Sequence, residues 1–281
     1  MMPKVSVLMP VYNTPEKILR ATIDSILNQT FADFELIIAD DSPDPEETGK
    51  IVKSYPDKRI RYYTNEVNLG ISGTRNRLLE LSEGEYLAIC DHDDISVPDR
   101  FEREVSFLDG RPDVGVVSGM LHCMHSGIVS AHPVSNEDIK AALLIQGCVI
   151  AHPASMIRKK VLTGNGIRWD ENFSPCEDYK LWIDLIDKTL FHNIDAVLLD
   201  YRDSEDNTTH KQNEKMEEKA RRIKSDAQKK HDWILEECVW QKRVYLLGIP
   251  FFKIVRTKKT TSFFLFDVIP VLKTKIRRKI K

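Results

Sequence analysis

Residues 86–94 read Tyr-Leu-Ala-Ile-Cys-Asp-His-Asp-Asp, an apolar β-type run that stops in three carboxylates. Tyr86–Cys90 predicts a strand, and Asp91-His92-Asp93-Asp94 a polar rim at its end. The same alternation recurs on both sides. Toward the N-terminus, Val5–Met9 is a first β-type run. Thr14 as N-cap and Pro15 at the first helical position then open a helix. Within it Ile18, Leu19, Thr22, Ile23, Ile26 and Leu27 recur at helical spacing. Phe34–Ala39 predicts a second strand ending in Asp40-Asp41, and Asp44-Pro45-Glu46-Glu47 opens a second helix. Ile60–Thr64 is a third strand and Ser72–Ser82 a third helix. After the quoted segment, Pro98 starts a helix that runs through Leu108. Strand and helix alternating at this spacing predict an α/β fold, with a mostly parallel central sheet and helices on both faces. Tyr12-Asn13, Asp40-Asp41 and Asp91 to Asp94 each follow a strand, so one rim at the carboxyl ends of the sheet would gather them.

The middle, residues 114–200, is less regular, with β-type stretches at Val114–Ser118 and Ala196–Leu199 and a helix over Glu177–Lys188. Residues 207–230 carry charge at nearly every other position and read as a solvated helix or a hinge. Beyond them Phe251, Phe252, Phe263, Phe264 and Phe266 alternate with Lys253, Arg256, Lys258 and Lys259, and the chain ends Lys-Thr-Lys-Ile-Arg-Arg-Lys-Ile-Lys over 273–281. Aromatic bodies with a basic flank suit the surface of an anionic bilayer. The plain alternative is aromatics packed on the main domain and a solvated basic end. The expected division is a main domain over residues 1–205 and a C-terminal helical, basic-aromatic extension over 206–281.

The 281 residues suffice for one large domain with an appendage. A net charge of −2 gives no electrostatic case for a nucleic-acid partner. Five cysteines without a CxxC read as reduced thiols of a cytoplasmic protein. The Val5–Tyr12 run is short, contains Pro10 and lacks a cleavage pattern, so no secretory signal is expected. No run approaches the roughly 18 apolar residues that would span a bilayer.

Three carboxylates within four residues repel one another unless a cation or donors neutralise them. Hard oxygen ligands suit Mn²⁺ or Mg²⁺, which bind through one or two carboxylates plus substrate phosphates. The plain reading of Asp91 to Asp94 is a solvated acidic loop capping the helix at Pro98. Asp40-Asp41 offers a carboxylate to a base or ribose, against an Asx-type turn before Pro43 and Pro45, which is the favoured reading of the pair taken alone. Gly70-Ile71-Ser72-Gly73-Thr74-Arg75-Asn76 is a turn into a helix, where start-of-helix amides and an arginine suit phosphate. Asp178 is either an N-cap or a base beside Glu177. His122 and His125, three apart in a β region, face opposite ways and suit no zinc. His152 is a candidate for an acceptor pocket or for a structural role. His210 is a candidate to reach a metal or diphosphate, against the commoner exposed loop histidine.

Taken in order, Pro10 to Asn13, Leu27 to Phe31, Phe34 to Ser42, Gly70 to Asn76, Asp91 to Asp94 and Glu177 to Trp182 resemble the family 2 glycosyltransferases, inverting enzymes of GT-A fold. The resemblance covers residues 3–205. It implies that Tyr12 and Asp41 hold the nucleotide base, that Arg75 lies near the donor, and that Asp91 and Asp93 form a DxD motif for the ribose and a diphosphate-bound Mn²⁺ or Mg²⁺. Asp94 would share or support the metal. Asp178 would be the catalytic base, with Glu177 and His152 in the acceptor region. Ser42-Pro43-Asp44 stands where many relatives have Gly-Ser, which leaves the shape of that loop open. The implied partners are a nucleotide-sugar donor, with UDP favoured, and a saccharide or lipid-linked saccharide acceptor, as in surface polysaccharide or lipopolysaccharide assembly. The implied location is peripheral, on the cytoplasmic face of the inner membrane, with contact through the tail.

Two other readings compete. One is a catalytically inactive nucleotide-sugar binding or regulatory module, disfavoured because Asp93 and Asp178 are both present. The other is a nucleotidyltransferase, which normally carries a Gly-rich basic loop after the first strand. Pro10 to Asn13 is not such a loop.

Overall fold

The computed structural model describes residues 2–203, 213–238, 240–246, 249–256, 260–265 and 269–275. Its main sheet contains β1 (Val5–Val11), β2 (Phe34–Asp40), β3 (Ile60–Thr64), β4 (Tyr86–Ile89), β5 (Ile95–Ser96), β6 (Val114–Cys123), β7 (Met156–Arg158) and β8 (Leu190–Tyr201). Their order is β3-β2-β1-β4-β7-β6-β8-β5. The β3-β2-β1-β4 block is parallel, β7 runs antiparallel between β4 and β6, and β6 and β8 are parallel.

Every residue of β1 and β2 is buried, as parallel strands covered on both faces must be. Their alternate side chains feed two cores. Val5, Val7, Met9 and Val11 pack with Leu19, Ile23 and Ile26 of α1 (Glu16–Leu27) and with Phe101 and Val105 of α4 (Arg100–Gly110). Leu8, Ile37 and Ala39 face the other side. They join Leu78 and Leu79 of α3 (Gly70–Leu81) and Trp182 of α7 (Glu177–Asp184). The remaining helix of the first half is α2 (Glu46–Lys53). In the register, Val11 lies opposite Asp40 and Leu8 opposite Ile89, so β1 and β2 end level and β4 stops three residues short of them on the same side. That places Tyr12, Asp41 and Asp91 on one rim.

Several local expectations change. The first helix begins at Glu16 without a side-chain cap, because the Thr14 hydroxyl lies 2.8 Å from His92 Nδ1 instead. The helix expected from Pro98 begins at Arg100, since Ile95 and Ser96 first pair with β8. Residues 136–145 form α5, a helix the periodicity did not announce; its signal is a Ser135 cap that accepts the Asp138 N–H at 3.3 Å. A short α6 (Lys159–Thr163) follows β7.

The extension is helical only at first. Of the segment 207–230 the described part, Asn213–Lys230, is a helix that buries Ile223 and Ala227 in the core, and the helix Asp232–Cys238 follows it. Beyond them β9 (Trp240–Leu246), β10 (Ile249–Arg256), β11 (Thr260–Leu265) and β12 (Ile269–Lys275) make a separate antiparallel sheet in that order. Their β-branched and aromatic content favours strands over the helix expected. The side chains of the tail lie outside the described residues. Among the described residues no helix is long and apolar enough to cross a membrane.

Candidate active site

A cleft of about 1260 Å³ opens along the rim where the parallel strands end. Tyr12, Asp41, Arg75, Asp91, Asp93, His152, Glu177 and Asp178 all line it, although they come from segments far apart in the chain. His210 lies outside the described residues, and Asp94 is not part of the lining.

At one end Tyr12 is 49% exposed, a free aromatic face of the kind on which a flat base stacks. The preceding turn is fixed by Asn13, which takes a left-handed φ of 47° and donates its N–H to Ser42 Oγ at 2.8 Å. Of the two carboxylates after β2, Asp40 forms the expected Asx-type turn, accepting from the Ser42 N–H at 3.0 Å and from the Tyr62 hydroxyl at 2.9 Å. Asp41 instead ties down the start of α3. Its oxygens accept the N–H groups of Leu69 and Gly70, each at 2.8 Å, and the Asn65 side-chain amide at 2.6 Å. A carboxylate has about four acceptor positions, so roughly one remains for a ligand.

Arg75 is 4% exposed and sits between the two halves of the cleft. One guanidinium nitrogen donates to Asp91 Oδ1 at 2.7 Å and the other to Glu177 Oε1 at 2.9 Å. Burial works against the Arg75 charge, but Asp91 and Glu177 more than offset it and hold the group protonated. Burial likewise pushes Asp91 up, and Arg75 overcomes it, so Asp91 stays ionised. The arginine expected near the diphosphate therefore clamps the end of β4 to the start of α7.

Burial and, secondarily, Asp91 raise the Asp93 carboxyl, opposed by His92. Asp94 is raised well above the usual range by burial, then by Asp91 and Asp93. It is 1% exposed, and its Oδ1 accepts the Arg202 N–H at 2.8 Å, tying the β4 loop to the end of β8. Its Oδ2 is buried without a hydrogen-bond partner among the described residues. Among those residues no three His, Cys, Asp or Glu side chains are gathered as a metal cage. The chemistry of the donor set nonetheless fits a hard divalent cation: Asp93 faces the cleft in a crowd of carboxylates that burial makes costly, and Mg²⁺-type ions need few protein ligands when phosphates supply the rest.

Asp178 is partly exposed at the first turn of α7. Its Oδ1 accepts the N–H of Tyr179 at 2.6 Å, and the Cys148 thiol approaches Oδ2 at 3.8 Å. Burial, and then the neighbouring Glu177, push its carboxyl up to about 6. His152 is buried and accepts the Trp169 indole N–H at Nε2, 3.0 Å away. Burial and Arg75 keep it neutral. Sequence reading missed His92, Cys148, Trp169 and Arg202. Of these only His92 carried a local signal, by lying inside the acidic run; the others reach the site through tertiary contacts.

A mostly parallel sheet with a carboxylate-lined cleft at its strand ends defines an α/β protein with a candidate active site where such sheets bind ligands. The comparisons sharpen that class. The sequence model described as Glycosyl transferase family 2 matches residues 6–164, and the chain belongs to that family. An uncharacterised glycosyltransferase of Methanocaldococcus jannaschii is 34% identical over 208 residues, 71% of each chain. The UDP-Glc:alpha-D-GlcNAc-diphosphoundecaprenol beta-1,3-glucosyltransferase WfgD of Escherichia coli is 28% identical, over 69% of this chain and 72% of its own. Among solved structures, S. aureus TarS in complex with UDP superposes with a TM-score of 0.62 at 22% identity, covering 80% of this chain and 65% of that one. A mannosyltransferase of Pyrobaculum calidifontis in complex with GDP-Man and Mn2+ gives 0.56 at 18% identity, over 73% of this chain and 59% of that one. These likenesses agree with the GT-A fold.

Proposed function

We propose that this glycosyltransferase moves a sugar from a nucleotide-diphosphate donor, with UDP favoured, to a hydroxyl of a saccharide or lipid-linked saccharide, inverting the anomeric centre. The observation that carries this reading is the position of Asp178, at the first turn of α7 in the cleft that Asp91 and Asp93 also line, where burial and Glu177 push its carboxyl up to about 6. A carboxylate of that basicity is ionised at neutral pH yet avid enough to take a proton in the transition state. Tyr12 would stack on the base and Asp41 would use its remaining acceptor position. Asp178 would accept the proton of the acceptor hydroxyl as its oxygen attacks the anomeric carbon. The bond from that carbon to the diphosphate oxygen breaks, its electron pair leaving with the nucleoside diphosphate. A single displacement inverts the centre and needs no covalent nucleophile. Arg75 holds Asp91 and Glu177 in place throughout, so that donor and base meet in one geometry. Mn²⁺ or Mg²⁺ held at Asp93, with Asp91 beside it, would supply positive charge against the departing diphosphate.

The UDP preference is supported by WfgD, whose name specifies UDP-Glc, and by TarS, solved with UDP and with UDP-GlcNAc. The diphosphoundecaprenol in the name of WfgD supports the lipid-linked acceptor. Mn²⁺ is supported by the Pyrobaculum mannosyltransferase, whose complex holds that ion beside GDP-Man. A lipid-linked acceptor would put the protein on the cytoplasmic face of a membrane, in polysaccharide or lipopolysaccharide assembly. The test is release of nucleoside diphosphate from UDP-, GDP- and TDP-sugars, with Mn²⁺ or Mg²⁺ and with EDTA. Metal-dependent release from one donor class, rising when lipid-linked saccharide is added, is expected. Equal release with EDTA would remove the metal from the account, and no binding of any nucleotide sugar would overturn it.

A further inference from the structure

The two ends of the cleft differ in chemistry. Around Asp41, Arg75, Asp91 and Asp93 the wall is charged. Beside Asp178 it is formed by Cys148, Pro175, Cys176, Met216 and Ala220, none of which bears a charge at neutral pH. The Cys148 and Cys176 thiols stay protonated there, because burial, then Asp178, raises both. Met216 and Ala220 belong to the helix Asn213–Lys230, which begins well beyond residue 164, where the family match stops. This helix is tied to the segment leading into Glu177-Asp178. Lys219 Nζ donates to the carbonyls of Asn172 at 2.7 Å and Ser174 at 2.6 Å, and the Cys176 thiol lies 3.2 Å from the Met216 carbonyl. The Arg222 guanidinium adds a contact 5.8 Å from the centre of the Phe173 ring. Met216 and Ala220 pack on the core that holds Cys176 and Tyr179. The helix is therefore fixed against the base by several independent contacts, and it presents two small or flexible apolar side chains to the cleft.

We propose that Met216 and Ala220 determine acceptor specificity: with Cys148 and Pro175 they wall an acceptor subsite that takes an uncharged sugar through its apolar C–H or N-acyl surface and refuses a uronic acid. This rests on the glycosyl-transfer reading, since the group that meets Asp178 must carry the reacting hydroxyl. The reason for refusal is desolvation. A carboxylate entering this end of the cleft would lose water and stand near Asp178 and Glu177, while the nearest cations are already engaged, Arg75 by Asp91 and Glu177 and Lys219 by the carbonyls of Asn172 and Ser174. An apolar sugar face or acetamido methyl loses only poorly bound water and gains contact with the methionine. The placement also makes physical sense of the division of the chain. Donor groups lie on the strand ends within the matched region, whereas Met216 and Ala220 come from a helix outside it.

The test uses the full chain and its donor, with octyl N-acetylglucosaminide and octyl glucuronide as acceptor probes. The wild type should use the first and not the second. Met216→Gln and Ala220→Glu should each raise the KM for the neutral probe by about tenfold or more, the scale of losing a side chain's apolar contact in a pocket. Donor affinity, measured by calorimetry without acceptor, should match the wild type and so exclude misfolding. Ala220→Lys should begin to admit the glucuronide. Unchanged acceptor KM in both Met216→Gln and Ala220→Glu, with donor affinity intact, would overturn the subsite alone. Equal use of both probes by the wild type would do the same. A wild type that binds no nucleotide sugar would instead overturn the reading of the reaction.

Discussion

At the scale of single residues, the chemistry depends on how burial and neighbours set two groups apart. Asp91, bonded to Arg75, stays ionised, while Asp178 is lifted to about 6 by burial and by Glu177. As the proposed base, Asp178 would work deprotonated, so turnover should be flat above about pH 7 and fall as pH drops through 6. A pH–rate profile would check this, and a profile with no acid limb near 6 would remove Asp178 from the role. Arg75→Lys makes a second prediction. Lysine keeps the charge but cannot fork between Asp91 and Glu177, so turnover should fall at least tenfold while nucleotide affinity changes less. Steady-state kinetics beside a binding isotherm separate the two effects. The roles proposed for Asp91, Asp93 and Asp178 came from the family resemblance, but the residues themselves were legible as candidates from their places at strand and helix ends. The partnership of Arg75 with Glu177 was not, since 102 residues separate them and no local pattern reports it.

At the scale of elements, alternation of strand and helix signals revealed the parallel half of the sheet, because a buried parallel strand is a short unbroken apolar run. The antiparallel insertions were harder to read. β5 has two residues and β7 three, too few to show a period. The tail was expected to be a helical, basic-aromatic extension, whereas Phe251, Phe252, Phe263 and Phe264 lie in the strands β10 and β11. Two substitutions test the packing. Gly84 precedes β4 where an added Cβ would come within 2.6 Å of the Ser6 nitrogen and 2.8 Å of the Val5 carbonyl carbon. Because backbone must move, Gly84→Ala should cost about 2 kcal/mol, read from denaturant unfolding. Arg100 and Glu104 form an ion pair at 3.2 Å with both side chains fully buried in α4. Arg100→Met should destabilise by about 3 kcal/mol at pH 8 because it strands a buried carboxylate. Glu104 is already pushed up to about 7 by burial against the pull of Arg100, so its protonation at pH 5 should recover part of that loss.

At the scale of the whole molecule, the fold does one thing that no segment does alone: it brings residues 12, 41, 75, 91, 93, 152, 177 and 178 to one cleft. The order of motifs along the chain already implied this. What the order did not carry is the wall from Asn213–Lys230, whose polar sequence reads as a solvated helix. Its few apolar residues are informative only once their neighbours are known. The account stands or falls on Asp178 acting as base in a cleft that binds a nucleotide sugar. Its most direct test compares wild type and Asp178→Asn in donor binding by calorimetry and in transfer of the sugar to a lipid-linked saccharide. The account predicts similar donor affinity and a transfer rate lower by roughly 10²–10⁴-fold in the variant. Transfer by Asp178→Asn at the wild-type rate would contradict it.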